Sequence, residues 1–368
     1  MKVAFVHDHL VQRGGSERTL ATMLRAFPGA PVYTAFYRPD ATYAELRDCD
    51  VRPFAVDGLP GLRRHHRVAF PVLPFLFAHR HIDADVVICS SSGWAQGVQT
   101  SGRKVVYFHA LAQWLHSPVH HVARGNPARR AALAVARRSL SGWDYRTVRS
   151  ADRHLVMGEA MQHRVREIYG VDADILPPPI TVEVEGPATA VDGVAPGFFL
   201  AAARLMPYKN LDAVVAAFAQ LPDERLVVAG EGPEGGRLRA MAPANVRFVG
   251  LAGDAELRWL YANARALVSA GFEAYPLTPI EAAGFGKPTL ALREAGSLDV
   301  VVEGRTGEFF DRPDPAAVAD AVRRLDAGHY DTGELQRIRD QHAESTFAAA
   351  LRAVVEEELD RSPKPLKS

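Results

Sequence analysis

At 368 residues the chain exceeds one ordinary hydrophobic core, so two domains are expected. An apolar share of 48% and a charged share of 23% belong to a globular chain and exclude a disordered or fibrous one. Lys plus Arg equals Asp plus Glu at 43 each, which removes the electrostatic case for a nucleic-acid partner. The opening MKVAFVHDHL has an apolar run too short for a signal peptide, interrupted by Asp8. Val3 to Val6 reads as a buried strand, and TLATMLRAF as the helix that follows a Gly14-Gly15 turn. Strand, glycine turn and helix open a doubly wound sheet, where ligands sit beyond the carboxyl ends of strands. Gly14 and Gly15 would let backbone approach such a ligand, although Gly-Gly also makes a plain tight turn. His7 and His9 have no third ligand nearby, so a metal pair is not expected.

Further strands are expected at 32–36, 51–55, 86–90 and 105–108. The last leads into His109, again at a carboxyl end. Cys49 and Cys89 are too few for a disulfide framework and suit a reducing cytoplasm. Two basic stretches, 62–81 and 123–140, read first as solvated faces over core segments. Together they also fit peripheral contact with anionic headgroups. No run of roughly 18 apolar residues appears, so no spanning helix is expected. Asp83-Ala84-Asp85 and Asp172-Ala173-Asp174 have the spacing that holds a metal on a diphosphate. Both precede strands, away from the crevice, and read as turn residues, so neither a metal nor another cofactor is expected. A strand and helix over ADRHLVMGEAMQHRVREIYG close the first domain, taken as 1–176. The Pro- and Gly-rich 177–197 reads as a linker.

The second domain, 198–346, opens with the strand GFFLAAARL. Arg204 and Lys209 share the following loop, with Asn210 capping the next helix. A guanidinium fork and an ammonium point charge together suit a diphosphate, though isolated surface cations look the same. Gly230-x-Gly232-x-x-Gly235 matches a dinucleotide fingerprint on its face, but only a short helix fits before Pro243. In SAGFEAYPLTPIEAAGFGKP, Glu273 and Glu281 stand eight apart with Pro276 and Pro279 between them, so one helix cannot hold both. Thr278 as N-cap, Pro279 at the first helical position and Glu281 three after the cap read as a helix start. Its free amides favour an anion. Locally, Glu281 is as well explained by a capping box, and Glu273 by a solvated loop.

That stretch resembles the E-x7-E signature of retaining glycosyltransferases of family 4, including the trailing Glu-Ala-x-x-x-Gly-Lys-Pro. The Arg-Leu-x-x-x-Lys-Asn run from Arg204, the Glu231-Gly232-Pro233 turn and VHDHLVQRGGSERTL resemble the same family. The resemblance implies an α/β GT-B fold: two Rossmann-like, doubly wound parallel-sheet domains facing a central cleft. It implies that the first domain reclaims the last helix, about 347–362. It implies donor phosphates on Arg204, Lys209 and the amides near Leu277 and Thr278, with Gly14, Gly15 and Gly232 in the donor loops. Glu281 would hold the ribose, Glu273 the transferred sugar, and His109 would lie near the reacting centre. Three departures stand out: Ala274-Tyr275-Pro276 after the first Glu, Ala110-Leu111 after His109, and Gly158-Glu159 where the family tends to Asn-Ser. The activity so implied moves a hexose, mannose from GDP-mannose foremost, to a glycan or lipid-linked acceptor. A UDP-sugar donor, a sugar-nucleotide epimerase and a non-catalytic nucleotide-sugar binder stand as alternatives.

Overall fold

A computed structural model describes residues 1–58, 72–116, 140–327 and 330–361. The chain forms two compact units: 1–177 with 344–368, and 178–343. Each is built on one parallel sheet. In the first, β1 (Val3–His7), β2 (Val32–Thr34), β3 (Val51–Pro53), β4 (Val86–Ser91), β5 (Arg103–Phe108), β6 (Arg153–Val156) and β7 (Asp174–Ile175) lie in the order β3-β2-β1-β4-β5-β6-β7. In the second, β8 (Phe198–Ala202), β9 (Leu226–Ala229), β10 (Val246–Gly250), β11 (Ala264–Ser269), β12 (Thr289–Leu292) and β13 (Gly307–Phe310) lie in the order β10-β9-β8-β11-β12-β13. The strand order reverses at β1/β4 in one unit and at β8/β11 in the other, and such a switch point is where a doubly wound sheet opens a crevice.

Alternation explains why these strands read as unbroken apolar runs. In β8, Phe199 and Ala201 join one buried cluster with Val214, Phe218 and Val322. Phe198 and Leu200 join the other, with Leu260, Tyr261 and Ala282. Side chains of period two thus enter two cores, one on each face, as helices on both sides of a parallel sheet require.

Two strand ends and the expected linker differ from the sequence reading. β2 and β3 end at Thr34 and Pro53, shorter than the sequence suggested. The stretch read as a linker packs within the second unit: the Ile180 amide donates to His342 O at 2.8 Å, Gly197 to Asn263 O at 2.9 Å, and Val182 is buried. The last helix, Glu344–Asp360, belongs to the first unit. There Arg25 pairs with Glu344 at 2.7 Å, the Arg352 guanidinium donates to Ala26 O at 3.0 Å, and Arg153 bonds Glu357. The two Asp-x-Asp pairs are engaged by cations at strand starts: Lys2 on Asp83 at 2.6 Å, and Arg153 on Asp174 at 2.7 Å. Of the basic stretches, 62–71 and 123–139 lie outside the described residues. Within 72–81, Phe75 is exposed with the His79 ring against it. Among the described residues, no helix is long and apolar enough to cross a membrane.

Candidate active site

The second unit gathers most of the expected residues at its switch point. The loop after β8 carries Arg204 and Lys209; the loop after β11 carries Gly271 to Pro276; the helix Leu277–Gly284 follows. Backbone and side-chain bonds staple the two loops: the Phe272 amide donates to Tyr208 O at 3.0 Å, and Asn210 Nδ2 to Ala270 O at 2.8 Å. Asn210 begins the helix Leu211–Ala217, but its side chain is spent on this staple and does not cap. Its φ of 51° lies in the left-handed region that Asn tolerates better than most residues.

Lys209 Nζ lies 2.6 Å from Glu273 Oε2, both side chains mostly covered at 12% and 21% exposure. Arg204 is exposed, with Nη2 reaching the Tyr208 hydroxyl at 3.3 Å. Gly271 lies beneath the ion pair: a Cβ there would sit 2.8 Å from Glu273 Oε1 and 3.1 Å from Lys209 Cδ. Gly232 is spent on scaffolding, because a Cβ would sit 2.4 Å from Leu205 O. The glycine turn thus presses against the backbone beside Arg204, with the Leu205 amide donating to Glu231 O at 2.9 Å.

The helix start differs from expectation. Leu277 is the first helical residue, after an extended Pro276, so Thr278 is no N-cap and Pro279 is not at the first position. Glu281 makes no capping box. It is buried at 6% exposure, with Oε2 accepting from the Tyr261 hydroxyl at 2.6 Å and Oε1 accepting from the Thr181 hydroxyl. Burial, then the Glu281 carboxylate, push the Tyr261 phenol well above its ordinary range, so it stays a donor. Tyr261, from the helix Asp254–Asn263, stacks on Phe285. Neither Tyr261 nor Thr181 carried a motif in the sequence. Leu277 and Thr278 stand in the first turn, where helix amides lack intrahelical acceptors.

His109 stands in the first unit, just past β5, beside that sheet's own switch point. Ser90 Oγ lies 2.7 Å from His109 Nε2 and 2.9 Å from His7 Nδ1, linking the ends of β1, β4 and β5. Burial pushes the His109 imidazole down to about 3. Burial, then His109 and His9, lower His7 well below its usual value. Both rings are therefore neutral near pH 7. Asp8, missed from the sequence, is buried and accepts the amides of Ala95 at 2.6 Å, Ser92 at 2.7 Å and Trp94 at 3.1 Å. Burial raises it to about 7 while those amides pull the other way. Its position one residue past an apolar strand was the available signal. Gly14 precedes the helix Gly15–Ala26 as its N-cap, and a Cβ on it would sit 2.6 Å from Glu17 Oε2. Neither Gly14 nor Gly15 has a positive φ. Among the described residues, no group of three potential ligands is placed to hold a metal.

Residues 194–339 match the family described as Glycosyl transferases group 1. The chain is 32% identical over 132 residues to the exopolysaccharide phosphotransferase SCO2592 of Streptomyces coelicolor, covering 33% of this chain and 14% of that one. It is 34% identical over 109 residues to a GDP-mannose-dependent alpha-mannosyltransferase of Corynebacterium glutamicum, covering 29% and 26%. The match thus spans well under two thirds of these relatives. Among solved structures, Anabaena Alr3699/HepE in complex with UDP superposes with a TM-score of 0.72 at 15% identity, covering 97% of this chain and 100% of that one. Two parallel-sheet Rossmann-like units in this arrangement of strands are the GT-B fold.

Proposed function

We infer that this chain is a group 1 glycosyltransferase that takes a nucleotide-diphosphate sugar and moves its hexose to a hydroxyl acceptor. The observation that carries the reading is the convergence of Arg204, Lys209, Glu273 and the start of the Leu277–Gly284 helix at the β8/β11 switch point. Rupture of the anomeric bond leaves negative charge on the diphosphate. Two cations and a helix start, held by stapled loops, are preorganised donors for that charge. Glu281, fixed by Tyr261 and Thr181, keeps lone pairs for the ribose hydroxyls, since a carboxylate accepts about four hydrogen bonds. Glu273 turns to the transferred sugar.

The reaction proceeds with retention, the acceptor attacking the face that the diphosphate leaves and the leaving phosphate taking its proton. No metal is required where the two cations supply the charge. His109, neutral at physiological pH, serves as a hydrogen-bonding group for a hydroxyl and not as an acid. The epimerase reading asks for free acid/base carboxylates in the first unit. Asp8 is occupied by three backbone amides, which disfavours that reading.

GDP-mannose is the preferred donor, supported by the Corynebacterium relative and by the N-terminal glycine block; the acceptor is a glycan or a lipid-linked saccharide. A UDP-sugar is the second reading, favoured by the UDP bound in the Anabaena neighbour. Thermal unfolding with GDP-, UDP- and ADP-sugars in EDTA tests both. A donor at 100 times its dissociation constant adds about 2.7 kcal/mol. Stabilisation by GDP-mannose alone supports the first reading and by a UDP-sugar the second. No shift with any of them overturns the donor-site assignment.

A further inference from the structure

The pairing of Lys209 with Glu273 leaves the donor site's covered ammonium already neutralised by the carboxylate assigned to the sugar. The staple between the loops, and the lack of room above Gly271, fix both side chains in mutual reach. A diphosphate that reaches Lys209 must therefore share its three N–H donors with Glu273. The stapled loops keep the carboxylate beside the arriving phosphates.

We propose that Glu273 makes the site discriminate the intact sugar nucleotide from the nucleoside diphosphate product, so that the product is expelled once the sugar has gone. This rests on the donor-site reading above. With the sugar present, its hydroxyls donate to Glu273 and replace the bond from Lys209. With the bare diphosphate, Glu273 shares Lys209 with like charge and has no hydroxyl to bind. The phosphate brings one more negative charge when the glycosyl ester is absent, which sharpens the difference. At partial burial such like-charge contacts are only weakly screened. Lys209 itself serves both ligands equally, so it sets affinity, and Glu273 sets the ratio.

The test is calorimetric titration of the full chain with GDP, GDP-mannose, UDP and UDP-glucose, on the wild type and on Glu273→Gln and Glu273→Ala. Glu273→Gln keeps the shape and removes the charge. The expected result is that both variants bind the diphosphate about tenfold tighter, while the sugar nucleotide gains nothing. The affinity ratio between them then collapses, and product inhibition by the diphosphate deepens. An unchanged ratio in both variants, with wild-type binding intact, overturns the proposal and leaves the donor site standing. A wild type that binds none of the four ligands overturns the donor-site reading, and this proposal with it. Thermal unfolding of each variant shows that the fold survives the change.

Discussion

Replacing Tyr261 by Phe separates the support of Glu281 from its contact with a ligand. Tyr261 is 1% exposed, and its hydroxyl donates to Glu281 Oε2 at 2.6 Å. Phe keeps the ring against Phe285 and removes only the hydroxyl. A hydrogen bond to a charged group contributes about 1.5–3 kcal/mol, and the buried carboxylate loses one of its two protein partners. In a unit of this size 1 kcal/mol moves Tm by roughly 2–4 °C, so a fall of about 3–12 °C is expected. The carboxylate also loses its orientation, and donor affinity should drop about tenfold, or 1.4 kcal/mol. Differential scanning calorimetry reads the first effect and donor titration the second. A Tm within 1 °C of wild type, together with unchanged donor affinity, would refute the view that Tyr261 holds Glu281. A lower Tm with unchanged affinity would refute Glu281 as the ribose ligand.

Lys209→Ala should remove most donor stabilisation and cost about 30-fold or more in kcat/KM, as loss of a charge-assisted contact does. Full activity would sink the phosphate assignment. Gly232→Ala drives a methyl into the Leu205 carbonyl; about 1–3 kcal/mol of destabilisation is expected, with weakened donor binding as the Arg204 loop shifts. Wild-type Tm would refute the packing role. His109→Ala should lower kcat while donor affinity by titration stays put, and a matching loss of affinity would place His109 on the donor instead. Burial lowers His7 and His109 in the fold, His109 to about 3, so below about pH 6.5 the unfolded chain binds protons there that the folded chain does not. Asp8, raised to about 7, gains a proton in the fold over part of the same range and offsets one of the two histidines, so stability should fall as pH drops below about 6.5 by the excess of the histidines, and the Asp8→Asn chain should fall more steeply; equal pH profiles for the two chains would contradict the opposed pair.

Composition, the alternation of apolar residues and the glycine and proline punctuation were enough to place two α/β domains. Parallel strands buried on both faces leave a continuous apolar signature, and helix and turn residues act locally. Arg204 and Lys209 were singled out by the family resemblance of their loop, since by themselves they read equally as surface cations. In the E-x7-E stretch two prolines excluded a single helix, but it was the family resemblance that marked Glu273 and Glu281 as site residues. The sequence misplaced the helix start: Pro276, not Thr278, ends the extended run, and Glu281 turns away from the cap toward Tyr261 and Thr181. Those partners lie 20 and 100 residues away along the chain, and no local pattern encodes a contact made only when three elements meet. The same holds for His7, Ser90 and His109, which parallel strands align although 83 and 19 residues separate the bonded pairs. Which residues carry charge was fixed locally. Which of them neutralise one another, as Lys209 and Glu273 do, was decided by the switch point of the sheet, because only there do the loops after β8 and β11 come together.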